Sequence, residues 1–78
     1  MKAGQIVKST AGRDKNTFFV VTEVNGNFAV ICDGKHRPLE KPKTKKLKHL
    51  SETTYTVDLN KVKTNKEFRR VLHRFNFE

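Results

Sequence analysis

Gly4-Gln5-Ile6-Val7-Lys8-Ser9-Thr10-Ala11-Gly12-Arg13-Asp14-Lys15-Asn16-Thr17-Phe18-Phe19-Val20-Val21-Thr22-Glu23-Val24 decides how the chain is read. Ile6 and Val7 end at a polar loop centred on Gly12, and a β-branched and aromatic run resumes at Phe18. That pattern predicts strand, tight loop, strand. Gly12 supplies the Cβ-free position that a strained loop needs. Arg13 and Lys15 beside it present cations together with backbone donors, an arrangement suited to an anion such as phosphate.

Downstream, Asn25-Gly26-Asn27 separates the run ending at Val24 from Phe28-Ala29-Val30-Ile31-Cys32. Asn-Gly between two apolar runs is a strong hairpin signal, so these runs should be neighbouring antiparallel strands. Asp33-Gly34 offers a second turn into Lys35-His36-Arg37-Pro38-Leu39-Glu40, which reads as a polar strand at an edge because of its proline. Pro42 marks a break, and Lys45-Lys46-Leu47-Lys48-His49-Leu50 closes the series. Four or five short strands with tight turns predict a mainly β fold, a small barrel or strongly bent sheet. Residues 51–64, where Tyr55, Val57 and Leu59 alternate with polar residues, fit an extended connector or a short strand.

The C-terminal pattern is local and clear. Thr64-Asn65-Lys66-Glu67 forms a capping box. Phe68, Val71, Leu72 and Phe75 then recur at the spacing of one helix face. An amphipathic α-helix over 65–76 should pack its aromatic face on the strands. Lys66, Arg69, Arg70, His73 and Arg74 remain for its outer surface.

With 78 residues and 35% hydrophobic side chains, the chain has material for one domain and one small core. A deep substrate pocket would compete for that core. No G-x-S-x-G, P-loop or paired-carboxylate arrangement is present, so an enzyme is not expected. The single cysteine, Cys32, fits a reducing cytoplasm. Cys32, His36, His49 and His73 have no metal-ligand spacing, so neither a metal nor another cofactor is expected. No apolar run approaches the roughly 20 residues of a membrane-spanning helix.

Charge carries more information. Seventeen Lys and Arg against eight Asp and Glu give +9. Self-repulsion of that size implies a polyanionic partner, nucleic acid first. Residues 35–50 hold seven basic side chains (Lys35, Arg37, Lys41, Lys43, Lys45, Lys46, Lys48) against Glu40 alone. Ordinary solvated faces mix both signs. With six lysines to one arginine, the run favours phosphate contact over base reading. Lys8, Arg13, Lys15 and His36 extend this candidate RNA surface, and Arg69, Arg70 and Arg74 form a second patch on the helix. Of the aromatic residues, Phe18 and Phe19 face opposite sides of one strand, so one should be exposed enough to stack on a base.

Gly4-Gln5-Ile6-Val7-Lys8-Ser9, Ala11-Gly12-Arg13-Asp14-Lys15, Phe19-Val20-Val21, Asp33-Gly34-Lys35 and Glu40-Lys41-Pro42-Lys43 through Lys45-Lys46-Leu47-Lys48-His49-Leu50 resemble one family, in order. It is the KOW domain of archaeal and eukaryotic large-subunit ribosomal proteins of the "fourteen-e" type. The resemblance covers about residues 3–50. It implies an SH3-like five-stranded barrel over 1–50 whose loops contact ribosomal RNA. Asn16 stands where a second loop glycine is expected, and asparagine also tolerates positive φ. The compact length resembles short stand-alone bacterial KOW proteins. The expectation is a monomeric, cytoplasmic, ribosome- or rRNA-associated RNA-binding protein. The alternative is a KOW-type module that binds an acidic protein in transcription or translation.

Overall fold

The computed structural model describes residues 1–76. Its elements are β1 (Gln5–Ser9), β2 (Phe18–Asn25), β3 (Phe28–Cys32), β4 (Lys43–Lys46), a 3₁₀ turn (Leu47–His49), β5 (Leu50–Thr56) and α1 (Asn65–Asn76). The strands form one antiparallel sheet in the order β4-β3-β2-β1-β5. The fold is therefore mainly β with a C-terminal helix, as the sequence pattern predicts.

The sheet has to curl. β4 and β5 lie at opposite ends of the strand order, which in a flat sheet would set them roughly 19 Å apart. Only the three residues Leu47–His49 join them, and a 3₁₀ turn advances about 2 Å per residue. Curling lets one sheet bury both of its faces. Strand alternation sends Val7, Phe19, Val21, Ala29, Ile31 and Leu50 to the enclosed face, where Met1, Val24 and Leu47 pack against them. Ile6, Val20 and Cys32 point the other way, onto Phe68 and Leu72 of α1. Pairing of Val7 with Phe19 and of Ile6 with Val20 keeps the two sets in register, and a one-residue slip would exchange them.

The β2–β3 hairpin forms where Asn25-Gly26 predicts it. Its two loop residues are Gly26 and Asn27, while Asn25 stays in the strand opposite Phe28. In the β1–β2 loop, Gly12 (φ 85°) and Asn16 (φ 72°) both adopt the left-handed conformation. Asn16 thus fills the role expected of a second glycine.

One segment differs from the sequence reading, and a second takes one of its two expected forms. Residues 35–40 are a loop, not a polar strand. The Asp33 carboxylate accepts hydrogen bonds from the amides of Lys35 (2.9 Å) and Arg37 (2.8 Å), taking donors that a strand would pair. Gly34 turns the chain at φ 80°. A Cβ there would overlap the Asn65 carbonyl, so Gly34 also lets the start of α1 approach the loop. Beyond residue 50, the sheet continues. β5 runs to Thr56 and pairs with β1, so only the end of the 51–64 segment is a connector.

α1 is fixed at both ends. The Glu67 carboxylate accepts from the Thr64 amide (3.1 Å), and the Thr64 hydroxyl accepts from the Glu67 amide (3.1 Å), completing the capping box. Asn65 accepts from the Leu39 amide and donates to Glu40, tying the first turn to the β3–β4 loop. At the other end, Asn76 accepts from the Phe18 amide (2.8 Å) and donates to the Phe18 carbonyl (3.3 Å).

Candidate nucleic-acid interface

The helix carries two stripes of the same spacing. Phe68, Val71, Leu72 and Phe75 face the sheet. Lys66, Arg69, Arg70 and His73 repeat that i, i+3, i+4, i+7 pattern on a neighbouring face. These three cations and one histidine line one wall of a groove of about 1090 Å³, and Lys35 and His36 of the β3–β4 loop line another. Asn16, Thr17 and Asn76 complete its rim. Among the described residues, Asp33 is the only acid along it, 6% exposed and already accepting two amides. The groove is therefore predominantly positive, and such a cleft concentrates counter-ions.

Both walls are held in place. Arg69 Nη1 donates to the Gly34 carbonyl at 2.7 Å, bridging helix and loop. A smaller hollow of about 460 Å³ shares Thr17, Asp33 and His36 with the groove and adds Arg13, Arg37, Phe19 and the lysine-paired Asp14. The structure thus brings Arg13, Lys35, His36, Arg37, Arg69 and Arg70 onto one continuous track, although they come from two loops and a helix. Lys66 and His73 belong to it as well. Both sit in the basic helical stripe that the sequence spacing predicts.

The lysine-rich run divides. Lys41, Lys46 and Lys48 are exposed, whereas Lys45 is 7% exposed and turned inward. Its ammonium donates to Asp14 Oδ1 at 2.6 Å and to the Ala11 carbonyl at 2.7 Å. Lys43 approaches Asp14 Oδ2 at 3.5 Å, and the Ser9 hydroxyl donates to Oδ1 at 2.7 Å. Burial pushes the Asp14 pKa upward, and hydrogen bonds from Lys45 and Ser9 with the charges of Lys45 and Lys43 more than reverse this. The result lies below the ordinary value of 3.8. Lys43 and Lys45 hold the β1–β2 loop, so the loop's own cations, Arg13 and Lys15, remain at the surface.

The other predicted positions scatter. Lys8 Nζ sits 5.8 Å from the Phe18 ring centre. Arg74 stacks over Tyr55 (4.9 Å) and Phe75 (5.0 Å), away from the main groove. Phe19 is buried, and Phe18 packs against Phe75 at 5.2 Å, so neither is an open platform for a base. Among the described residues, the exposed large aromatic side chains are Phe28 (43%) and Tyr55 (50%).

All seven described acids are occupied within the molecule. Asp14 holds two lysines. Asp33, Asp58 and Glu67 accept from backbone amides. Glu23 and Glu40 accept from asparagine side chains, and Glu52 pairs with the N-terminal amine at 3.3 Å. Cys32 is buried, and burial with the neighbouring Asp33 charge pushes its pKa up to about 11. Among the described residues, no cluster of His, Cys, Asp and Glu could hold a metal ion. No helix among them is long and apolar enough to cross a membrane.

No protein-family model matches the chain, and no curated protein matches it either.

Proposed function

We propose that this chain is an RNA-binding protein that holds RNA by its phosphate backbone and makes or breaks no bond. The observation that carries this reading is the different use of the two charge signs. The described acids serve turns, caps and ion pairs inside the fold, while cations from three separate segments converge on one track. A +9 chain arranged this way repels itself unless a polyanion is bound. The low share of base-reading geometry in the lysine-rich surface favours backbone contact, which dominates nucleic-acid affinity in general.

The block resemblance to KOW domains supports a ribosomal or rRNA-associated role in the cytoplasm. The five-stranded antiparallel sheet supports that reading, with its fifth strand at Leu50–Thr56, beyond the 1–50 span of the resemblance. Crosslinking in cells, followed by sequencing of the attached RNA, tests the proposal. Enrichment of ribosomal RNA, with co-sedimentation on ribosomal particles lost after nuclease treatment, is the expected result. A protein partner that persists after nuclease, with no RNA crosslinked, would replace this reading by that of an acidic-protein-binding module.

A further inference from the structure

We propose that the groove between α1 and the β3–β4 loop seats a single RNA strand by its sugar-phosphate backbone. This rests on the RNA-binding reading and gives it an address and a strand type.

The basic side chains along the groove form a line. From Lys66 to His73 is seven steps along the helix, or roughly 10 Å at 1.5 Å per residue. A row of that length matches successive phosphates better than one isolated anion. The row continues past His36 toward Arg13 and Arg37 in the adjoining hollow. Its walls are pre-set by the Arg69–Gly34 bridge and by Asn65, which ties α1 to Leu39 and Glu40. A pre-set site loses less freedom on binding.

Size and lining choose the occupant. A groove of about 1090 Å³ is cut into a body of 27 × 26 × 25 Å. It has room for a few nucleotides of one strand and not for the width of a double helix. Among the described residues, its lining contains no Phe, Tyr or Trp, and its one apolar side chain, Leu72, is buried. A peptide partner would lack the aromatic or aliphatic anchor on which peptide affinity usually depends. A phosphate backbone needs no such anchor. The same lining leaves the bases unread, so sequence preference should be weak.

The exposed lysines of the 41–48 run lie outside the groove and supply longer-range attraction. That division can be tested with two charge-matched variants, Lys66→Gln/Arg70→Gln in the groove and Lys46→Gln/Lys48→Gln outside it. Thermal melts confirm that each folds. Fluorescence anisotropy then follows a labelled single-stranded RNA of about 12 nucleotides, within the usual site size of small single-strand binders, and a duplex of the same length. At about 0.7 of salt slope per phosphate contact, losing two contacts lowers single-strand affinity about 20-fold at 0.1 M salt and flattens the slope by about 1.4. The outer pair should cost less than about 3-fold, as expected of cations acting only through a screened field.

If the outer pair costs as much as the groove pair, or the duplex binds more tightly than the single strand, the address is wrong while RNA binding stands. If an acidic peptide displaces the strand at lower concentration than unlabelled RNA does, the groove belongs to a protein. If the unmodified protein binds neither RNA at low salt, this inference and the RNA-binding reading fall together.

Discussion

Asp14→Asn removes one charge, keeps the side-chain volume, and probes the ion cluster that fixes the β1–β2 loop. Asp14 is the carboxylate partner of Lys45, whose side chain is 7% exposed, and the Asp14 side chain itself is 12% exposed. Breaking a buried pair by removing one partner costs about 3–5 kcal/mol. Two features reduce that here. The amide oxygen that replaces the carboxylate can still accept a hydrogen bond, and the long lysine stem lets the ammonium move toward water. A loss of about 2–3 kcal/mol is therefore expected, between a charge-assisted hydrogen bond and a full buried pair. In a domain of this size that lowers Tm by about 10–20 °C.

Circular dichroism melts at pH 7 measure the shift. Lys46→Gln, one residue from Lys45 but exposed, should stay within about 0.5 kcal/mol of the unmodified protein. Acid melts add a second signature. The folded pKa of Asp14 lies below its ordinary value of 3.8. A depressed carboxylate stabilises the fold fully above its unfolded value and loses that contribution as pH falls through its folded value. The gap between protein and variant should hold from neutral pH to about pH 4–5 and close below that. A Tm at pH 7 within about 3 °C of the unmodified protein, well under the 4–8 °C expected per kcal/mol, would refute the structural role of the cluster. So would a gap that persists at low pH.

Gly34→Ala should lower stability by more than about 1 kcal/mol, because alanine disfavours positive φ and its Cβ meets the Asn65 carbonyl; a chemical denaturation midpoint equal to the unmodified protein's would contradict the packing of loop against helix. Phe68→Ala, which empties a position 1% exposed between α1 and β2, should cost about 3–5 kcal/mol by the same measurement. Cys32, buried and with its pKa pushed up to about 11, should react with a thiol reagent at pH 7–8 only as fast as the protein opens, so rapid labelling of the native state would place the thiol at the surface.

What could be read early and what could not follows from the range of the interactions. The capping box at Thr64–Glu67 and the Asn25-Gly26 hairpin depend on residues within a turn of each other, and both formed where the pattern pointed. β5 carries mostly exposed side chains, and its pairing with β1 joins residues more than forty positions apart. A local alternation reads such a strand only weakly. Residues 35–40 have the composition of an edge strand, but one carboxylate, Asp33, captures their amides. Charge is subject to the same limit. In sequence Lys43 and Lys45 look like their lysine neighbours, although a single acid some thirty residues away holds both. The groove gathers Lys35 and His36 with a helix thirty residues further on, so its outline emerges only when the chain is folded.

The central claim is that the convergent cations bind RNA phosphates, and the salt dependence of binding tests it most directly. Affinity of the unmodified protein for a single-stranded RNA, measured across a range of salt concentrations, should fall linearly on a log–log plot. Four or more phosphate contacts along the track give a slope of about −3 or steeper. A flat plot, or no binding at low salt, would contradict the account.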